Sequence, residues 1–208
     1  MSTIALAGRQ PVLADRIFTR SLVIDLVLVA AGAAFTALLA QVTIPLWPVP
    51  ITGQTLAVLL VGATLGMARG ASSLALYAVL GLVGLPVFAP QDGGGHLTGL
   101  AALTAPSFGY IVGFVFAAAL VGWLSERTWD RKFFKALATF VGGTVVVFAF
   151  GLPWLAVVTN ASLTETYQWG LEPFIVGGII KAVIAALLLP AAWWGADKIA
   201  ARSARDAD

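Results

Sequence analysis

The chain has 208 residues, 60% of them apolar and only 11% charged, and its mean hydropathy is +0.95. Soluble domains carry about 25% charged residues, so this composition excludes a water-soluble fold and points to a membrane protein. Twelve Lys and Arg against ten Asp and Glu give a formal net charge of +2, with the basic residues beside apolar runs rather than in a patch, which argues against a nucleic-acid partner.

The first 21 residues hold Arg9, Arg16 and Arg20 and show no short apolar core followed by a small-residue cleavage site, so they are expected to form a cytoplasmic tail. Apolar stretches then recur at Leu22–Ala40, Thr55–Met67, Ala71–Phe88, Ser107–Leu124, Phe134–Val158 and Phe174–Trp194. They predict an all-α integral membrane protein with six transmembrane helices in one unit over 22–198, followed by a second cytoplasmic tail over 199–208. The breaks are the Pro-rich run Ile44–Pro50, a turn at Ala68-Arg-Gly70, a Gly/Pro-rich loop Pro90–Pro106, a charged loop Ser125–Lys135 and a polar loop Thr159–Pro173.

Charge tests this parsing. If both tails share a side with the second and fourth loops, that side holds Arg9, Arg16, Arg20, Arg69, Arg127, Arg131, Lys132, Lys135, Lys198, Arg202 and Arg205, and the opposite loops hold no Lys or Arg. The positive-inside rule then puts the N- and C-termini in the cytoplasm. The twelfth basic residue, Lys181, falls inside the last span.

Lys181 lies about seven residues, or roughly 10 Å, into a helix that starts on the external side. An intramembrane cation usually faces a cavity or a partner; the alternative is that it snorkels to the external interface. Gly177 and Gly178 precede it by one turn on the same face, either leaving space for a ligand beside the cation or serving close helix packing. The first external loop adds Thr52, Gln54 and Thr55 behind stiffening prolines, and the second adds Gln91, Asp92, the run Gly93–Gly95 and His96. His96 is read as a solvated loop histidine rather than a ligand, and Trp154, Trp169, Trp193 and Trp194 as interfacial belt residues first and ligand-site residues second. Small residues at four-residue spacing on the first span, Gly32, Thr36 and Ala40 in one row and Ala30, Ala33, Ala34 and Ala37 in others, suit close packing either within the bundle or against a partner. Asp25 reads as an interfacial charge.

The absences matter as well. There is no cysteine, no G-x-x-x-x-G-K-[ST] loop, no H-E-x-x-H, no G-x-S-x-G and no pair of carboxylates within a span. No ATP hydrolysis, resident metal, cofactor or catalytic set is therefore expected.

The runs Ile44-Pro-Leu-Trp-Pro-Val-Pro-Ile-Thr-Gly-Gln-Thr-Leu-Ala-Val-Leu-Leu60, Leu80-Gly-Leu-Val-Gly-Leu-Pro-Val-Phe-Ala89, Pro106-Ser-Phe-Gly-Tyr-Ile-Val-Gly-Phe114, Gly151-Leu-Pro-Trp154 and Pro173-Phe-Ile-Val-Gly-Gly-Ile-Ile-Lys-Ala182 resemble the BioY family. These are biotin-specific S components of energy-coupling factor transporters, and the resemblance covers about residues 22–198. It implies an S-component-like bundle in the plasma membrane that captures biotin near the external face. It also implies a transmembrane coupling subunit and cytoplasmic ATPases as partners, with docking through Ala30, Ala33, Ala34 and Ala37. On this reading Lys181 donates to a ligand oxygen, Thr52 and Gln54 add neutral hydrogen bonds, Phe88 and Tyr110 form apolar walls, and Gly177, Gly178, Gln91 and Asp92 complete the site. Family members commonly carry Asp three residues before this Lys, where the present chain has Gly178. The alternatives are an S component for another vitamin or a biotin precursor, an intramembrane enzyme, or an assembly subunit.

Overall fold

The computed structural model describes residues 10–91 and 94–205, the side chains of 199–205 excepted. Arg9 lies outside this range. In chain order the elements are α1 (Leu13–Ile17), α2 (Leu22–Gln41), the strands β1 (Thr43–Ile44) and β2 (Ile51–Thr52), α3 (Gln54–Leu65), α4 (Met67–Leu82), α5 (Phe108–Ser125), α6 (Phe133–Thr159), α7 (Leu163–Gly170) and α8 (Glu172–Arg205). Short 3-10 turns cover Gly99–Thr104 and Trp129–Arg131. Four helices, α2, α5, α6 and α8, are long and apolar enough to cross a bilayer, while α3 and α4 are apolar but shorter.

Three breaks differ from the sequence expectation. The turn between the second and third apolar stretches falls at Gly66, whose φ of 83° and ψ of 179° suit glycine, and Ala68-Arg-Gly70 is helical within α4. Helix α4 stops at Leu82 rather than Phe88, because Gly84 takes a φ of 104° and Pro86 follows. The Thr159–Pro173 loop contains α7, started by a capping box in which Ser162 and Glu165 satisfy each other's backbone N–H groups.

The short α3 occupies the middle, packed on α2, α4, α5 and α8, and its side chains from Ala57 to Leu59 are 2% exposed or less. A helix that is apolar on all sides belongs in such a position. Close approach comes from glycine. A Cβ on Gly62 would meet the Ala118 carbonyl oxygen at 2.8 Å, one on Gly113 the Val147 carbonyl oxygen at 2.9 Å, and one on Gly122 the backbone of Gly66 and Met67 at 2.4 Å. On α2 the row Gly32, Thr36 and Ala40 is buried, with Gly32 set against Ser73 of α4. Of the candidate docking residues, Ala30 and Ala34 are exposed and Ala37 is half-buried. Ala33 is 1% exposed and belongs to the core, so docking through Ala33 is corrected: its side chain is already covered by this chain's own helices.

At one end of the bundle the charged segments converge. Asp15 accepts from Arg20 Nη2 at 2.7 Å and from Arg69 Nη2 at 2.7 Å, and Arg69 Nη1 reaches Asp25 at 3.0 Å. Arg16 pairs with Asp197 at 3.3 Å, Arg131 donates to the Pro11 carbonyl at 3.1 Å, and Gln10 N donates to the Glu126 carbonyl at 2.9 Å. Residues from the N-terminal segment, the α3–α4 junction, the α5–α6 loop and the end of α8 therefore share one end, as the charge count requires. Within the described residues from Gln10 onward the N-terminal segment packs on the bundle: Val12 and Ala14 are 0% and 5% exposed and α1 lies against α3 and α8. Asp25 gains a specific partner in place of a merely interfacial position.

Burial pushes the Asp15 carboxyl up, but hydrogen bonds from Arg20, Arg69 and the Val12 N–H hold it on balance below its ordinary value of 3.8. Its stabilising contribution is complete above that value and is lost as the pH falls through the lowered folded-state value. Asp15→Asn is expected to lower the melting temperature at pH 7, with the deficit shrinking as the pH is taken below 3.8. A deficit that is the same at both pH values would remove the network from the stability of this end. Gly122→Ala forces backbone apart and is expected to cost about 1–3 kcal/mol, read as a lower melting temperature in detergent.

Candidate functional site

At the end opposite the charged network the helices enclose a cavity. About 940 Å³ of space free of protein atoms, its open mouth included, lies between the β1–β2 hairpin, the loop after α4, the start of α5, the middle of α6 and the first turns of α8. Its lining is mostly apolar and aromatic with a few convergent polar groups, the composition of a small-molecule site.

The hairpin delivers the polar wall. Thr43 pairs opposite Thr52 and Ile44 opposite Ile51, so the chain reverses through the prolines and enters α3 with Thr52, Gln54 and Thr55 together. Thr52 Oγ1 donates to Gln54 Oε1 at 2.7 Å, and Gln54 Nε2 donates to the hydroxyl of Tyr77 at 2.5 Å, which fixes the amide. Lys181 reaches across from α8: its ammonium donates to the Thr52 carbonyl at 2.5 Å and to Thr55 Oγ1 at 3.0 Å. It is half-buried and points into the bundle, which overturns the snorkelling alternative. None of the ion pairs formed among the described residues includes Lys181.

The walls are aromatic. Phe88 sits where any Cβ on Gly81 would be, 2.1 Å from its ring, and meets Tyr77 edge-on at 5.4 Å. Tyr110 lies against Gly151, donates to the Gly170 carbonyl at 2.9 Å, and forms a cluster with Phe148 and Phe174 at ring separations of 6.0–6.2 Å. The outer cover is held by Trp154 Nε1 donating to the Ala105 carbonyl and by His96 Nδ1, 2.8 Å from the Phe88 carbonyl.

The cavity thus gathers Thr52, Gln54, Phe88, Gln91, Tyr110, Gly177, Gly178 and Lys181 from the sequence reading. Asp92 lies outside the described residues. The two glycines near Lys181 behave unlike those of the helix contacts: a Cβ on Gly177 meets nothing within 4 Å, and one on Gly178 meets only Thr144 Cγ2 at 3.9 Å. They leave space in the cavity, so the close-packing alternative is set aside. Sequence reasoning missed Thr144, Phe148 and Phe174. Phe174 was within reach, since Phe174, Gly178 and Lys181 recur at four- and seven-residue spacing on one face.

His96 is tied to the cover rather than simply solvated. Trp193 is no belt residue: it is 4% exposed and donates to Asp130 at 2.6 Å near the charged end. Trp169 stacks edge-on against Trp47 at 5.1 Å, and Trp194 is 64% exposed.

The model of the BioY family matches residues 11–198. A biotin transporter BioY from Rhizobium etli is 39% identical over 86% of this chain and 98% of its own length, and one from Thermotoga maritima is 37% identical over 77% and 92%. Among solved structures, the S-component for biotin from an ECF-type ABC transporter superposes with a TM-score of 0.69 at 28% identity, covering 81% of this chain and 89% of that one.

The two classes of glycine respond oppositely to the same change. Gly177→Ala adds helix propensity of about 0.5–1 kcal/mol at a site with open space and is expected to hold or raise the melting temperature. A loss as large as that of Gly122→Ala would place Gly177 in a tight contact.

Proposed function

The chain belongs to the BioY family, and from that premise we propose that it is the biotin-binding membrane subunit of an uptake system. It is a transport protein rather than an enzyme. The observation that carries the reading is the Lys181 ammonium, set between Thr52, Thr55 and two space-leaving glycines in an aromatic cavity. Biotin is a fused ureido–thioether bicycle with a five-carbon acid chain, and it asks for that combination of one cation, a few neutral polar groups and extended apolar walls.

On this reading α2, α3, α4, α5, α6 and α8 are the six transmembrane helices, with α3 and α4 buried in the bundle where shorter lengths suffice. The charged end faces the cytoplasm with both termini and the cavity faces outward across the plasma membrane. The convergence of basic segments at one end supports that orientation. Residues 22–198 form the binding unit, with α1 strapped beneath it. Transport energy comes from a transmembrane coupling subunit and cytoplasmic ATPases, since this chain carries no phosphate-binding loop. The coupling subunit docks on the outer face of α2 at Ala30 and Ala34, beside the half-buried Ala37.

Equilibrium binding of labelled biotin to the purified protein in detergent tests this, with a panel of unlabelled vitamins as competitors. The expected result is stoichiometric binding displaced by biotin alone. Displacement by another vitamin would keep the S-component fold and change the substrate. Lys181→Ala is expected to weaken binding by about 1–3 kcal/mol, the scale of a charge-assisted hydrogen bond. Unchanged affinity in a folded variant would take Lys181 out of the site.

A further inference from the structure

Tyr77 is buried in α4 and is not one of the residues lining the cavity, yet it touches two of the cavity's walls. Its hydroxyl accepts from Gln54 Nε2 at 2.5 Å, and its ring meets Phe88 edge-on at a centroid separation of 5.4 Å. Gly81, one turn further along the same face of α4, leaves the space that the Phe88 ring fills. One side chain of α4 therefore braces the polar wall with its hydroxyl and the aromatic wall with its edge.

Gln54 lines the cavity from the first position of α3 and is 6% exposed. The terminal torsion of a glutamine is broad, so an amide held at one end swings. Here both ends are held. Thr52 Oγ1 donates to Oε1 at 2.7 Å while accepting the Gln54 backbone N–H at 3.2 Å, and Tyr77 takes one hydrogen of Nε2. An amide has two N–H donors and two lone pairs on its oxygen, so one of each is left over, and the two bonds fix the plane in which they point. Such a pair adds little to stability, since apolar residues of the same shape in both places would do nearly as well. What it supplies is a fixed direction for the groups that face the cavity.

We propose that Tyr77 is a positioning residue: without touching the ligand, its hydroxyl holds the Gln54 amide in the orientation that a polar group of the ligand meets. The proposal rests on the biotin reading and deepens it, because hydrogen bonding at this wall is set from α4 as well as from the hairpin. An amide already in place spares the ligand the cost of ordering it.

The test is a double-mutant cycle on biotin affinity, read by calorimetry or competition on purified protein in one detergent, with the melting temperature of each variant recorded alongside. Tyr77→Phe removes only the hydroxyl and keeps the ring edge against Phe88, and Gln54→Met keeps the reach of the side chain and removes its amide. Tyr77→Phe is expected to weaken biotin binding by about 3- to 10-fold, the cost of ordering one freed side chain. Gln54→Met is expected to weaken it at least as much. Adding Tyr77→Phe to Gln54→Met is expected to change it by less than about twofold, since the hydroxyl then has no amide to hold. Should Gln54→Met fail to fold with the Tyr77 hydroxyl left unpaired, Gln54→Ala, which leaves room for water there, closes the same cycle.

Equal weakening by Tyr77→Phe in both backgrounds overturns the proposal, because a hydroxyl that only supports packing lowers affinity whatever side chain stands at position 54. Unchanged affinity in folded Tyr77→Phe overturns it as well. If wild type binds a different vitamin, the biotin reading falls and the same cycle with that vitamin decides the role of Tyr77. Folded wild-type protein that binds no vitamin overturns both.

Discussion

An ammonium group carried inward on a membrane helix has to be surrounded by oxygen, and in this protein the requirement is met by two residues more than 120 positions away in sequence. Lys181 of α8 donates to the Thr52 carbonyl and the Thr55 hydroxyl. The contact works only if the chain after α2 doubles back, which the short hairpin at Thr43–Ile44 and Ile51–Thr52 achieves, and only if α3 starts at Gln54 with Thr55 in its first turn. The cavity, its polar wall and the approach of α8 to α3 all depend on that arrangement.

Glycine does two different things around this contact. At the helix contacts Gly62, Gly113 and Gly122 bring backbones together, and little in water-free surroundings but close packing holds apolar helices to one another. Near Lys181 the same residue type keeps helices from filling the space between them. A protein that must be dense enough to be rigid and open enough to admit a ligand uses one residue for both, and the neighbours decide which role each plays.

The two ends of the bundle are built on opposite electrostatic plans. One end ties several of its charges into ion pairs: Asp15 with Arg20 and Arg69, Arg69 with Asp25, Arg16 with Asp197. The segments joined are distant in sequence, so the network locks the ends of helices that packing alone would leave free to slide. The other end holds one cation against neutral oxygens inside aromatic walls. The ion pairs fasten segments distant in sequence, and the cavity keeps its one cation for the space beside it.

Much of this was legible in the sequence. Apolar runs located the main helices, the distribution of Lys and Arg assigned segments to one end, and an isolated Lys after two glycines marked the cavity. Those features are one-dimensional: hydropathy, charge and spacing along a single helix face. What they left out required three dimensions. Helix α7 has no apolar run, so hydropathy read its residues as a polar loop, and the Ser162–Glu165 capping box that starts it is seen in the structure. Charge and glycine suggest a break at Ala68-Arg-Gly70, whereas the backbone turns at Gly66, whose positive φ suits glycine and whose backbone lies against Gly122 of α5. Ala33 suits a partner face or the bundle's own packing and Trp193 an interfacial belt or a core equally well in sequence, and the helix packing buries both. Spacing could not separate the glycines that close a contact from those that open a recess, since the difference lies in what stands opposite: the Gly66–Met67 backbone facing Gly122, and nothing but a threonine methyl facing Gly178. The sequence determined which residues this protein had available for a membrane-embedded cation site, and the tertiary structure decided which of them meet there, because contacts across 126 and 129 residues are set by how helices pack and not by any local pattern.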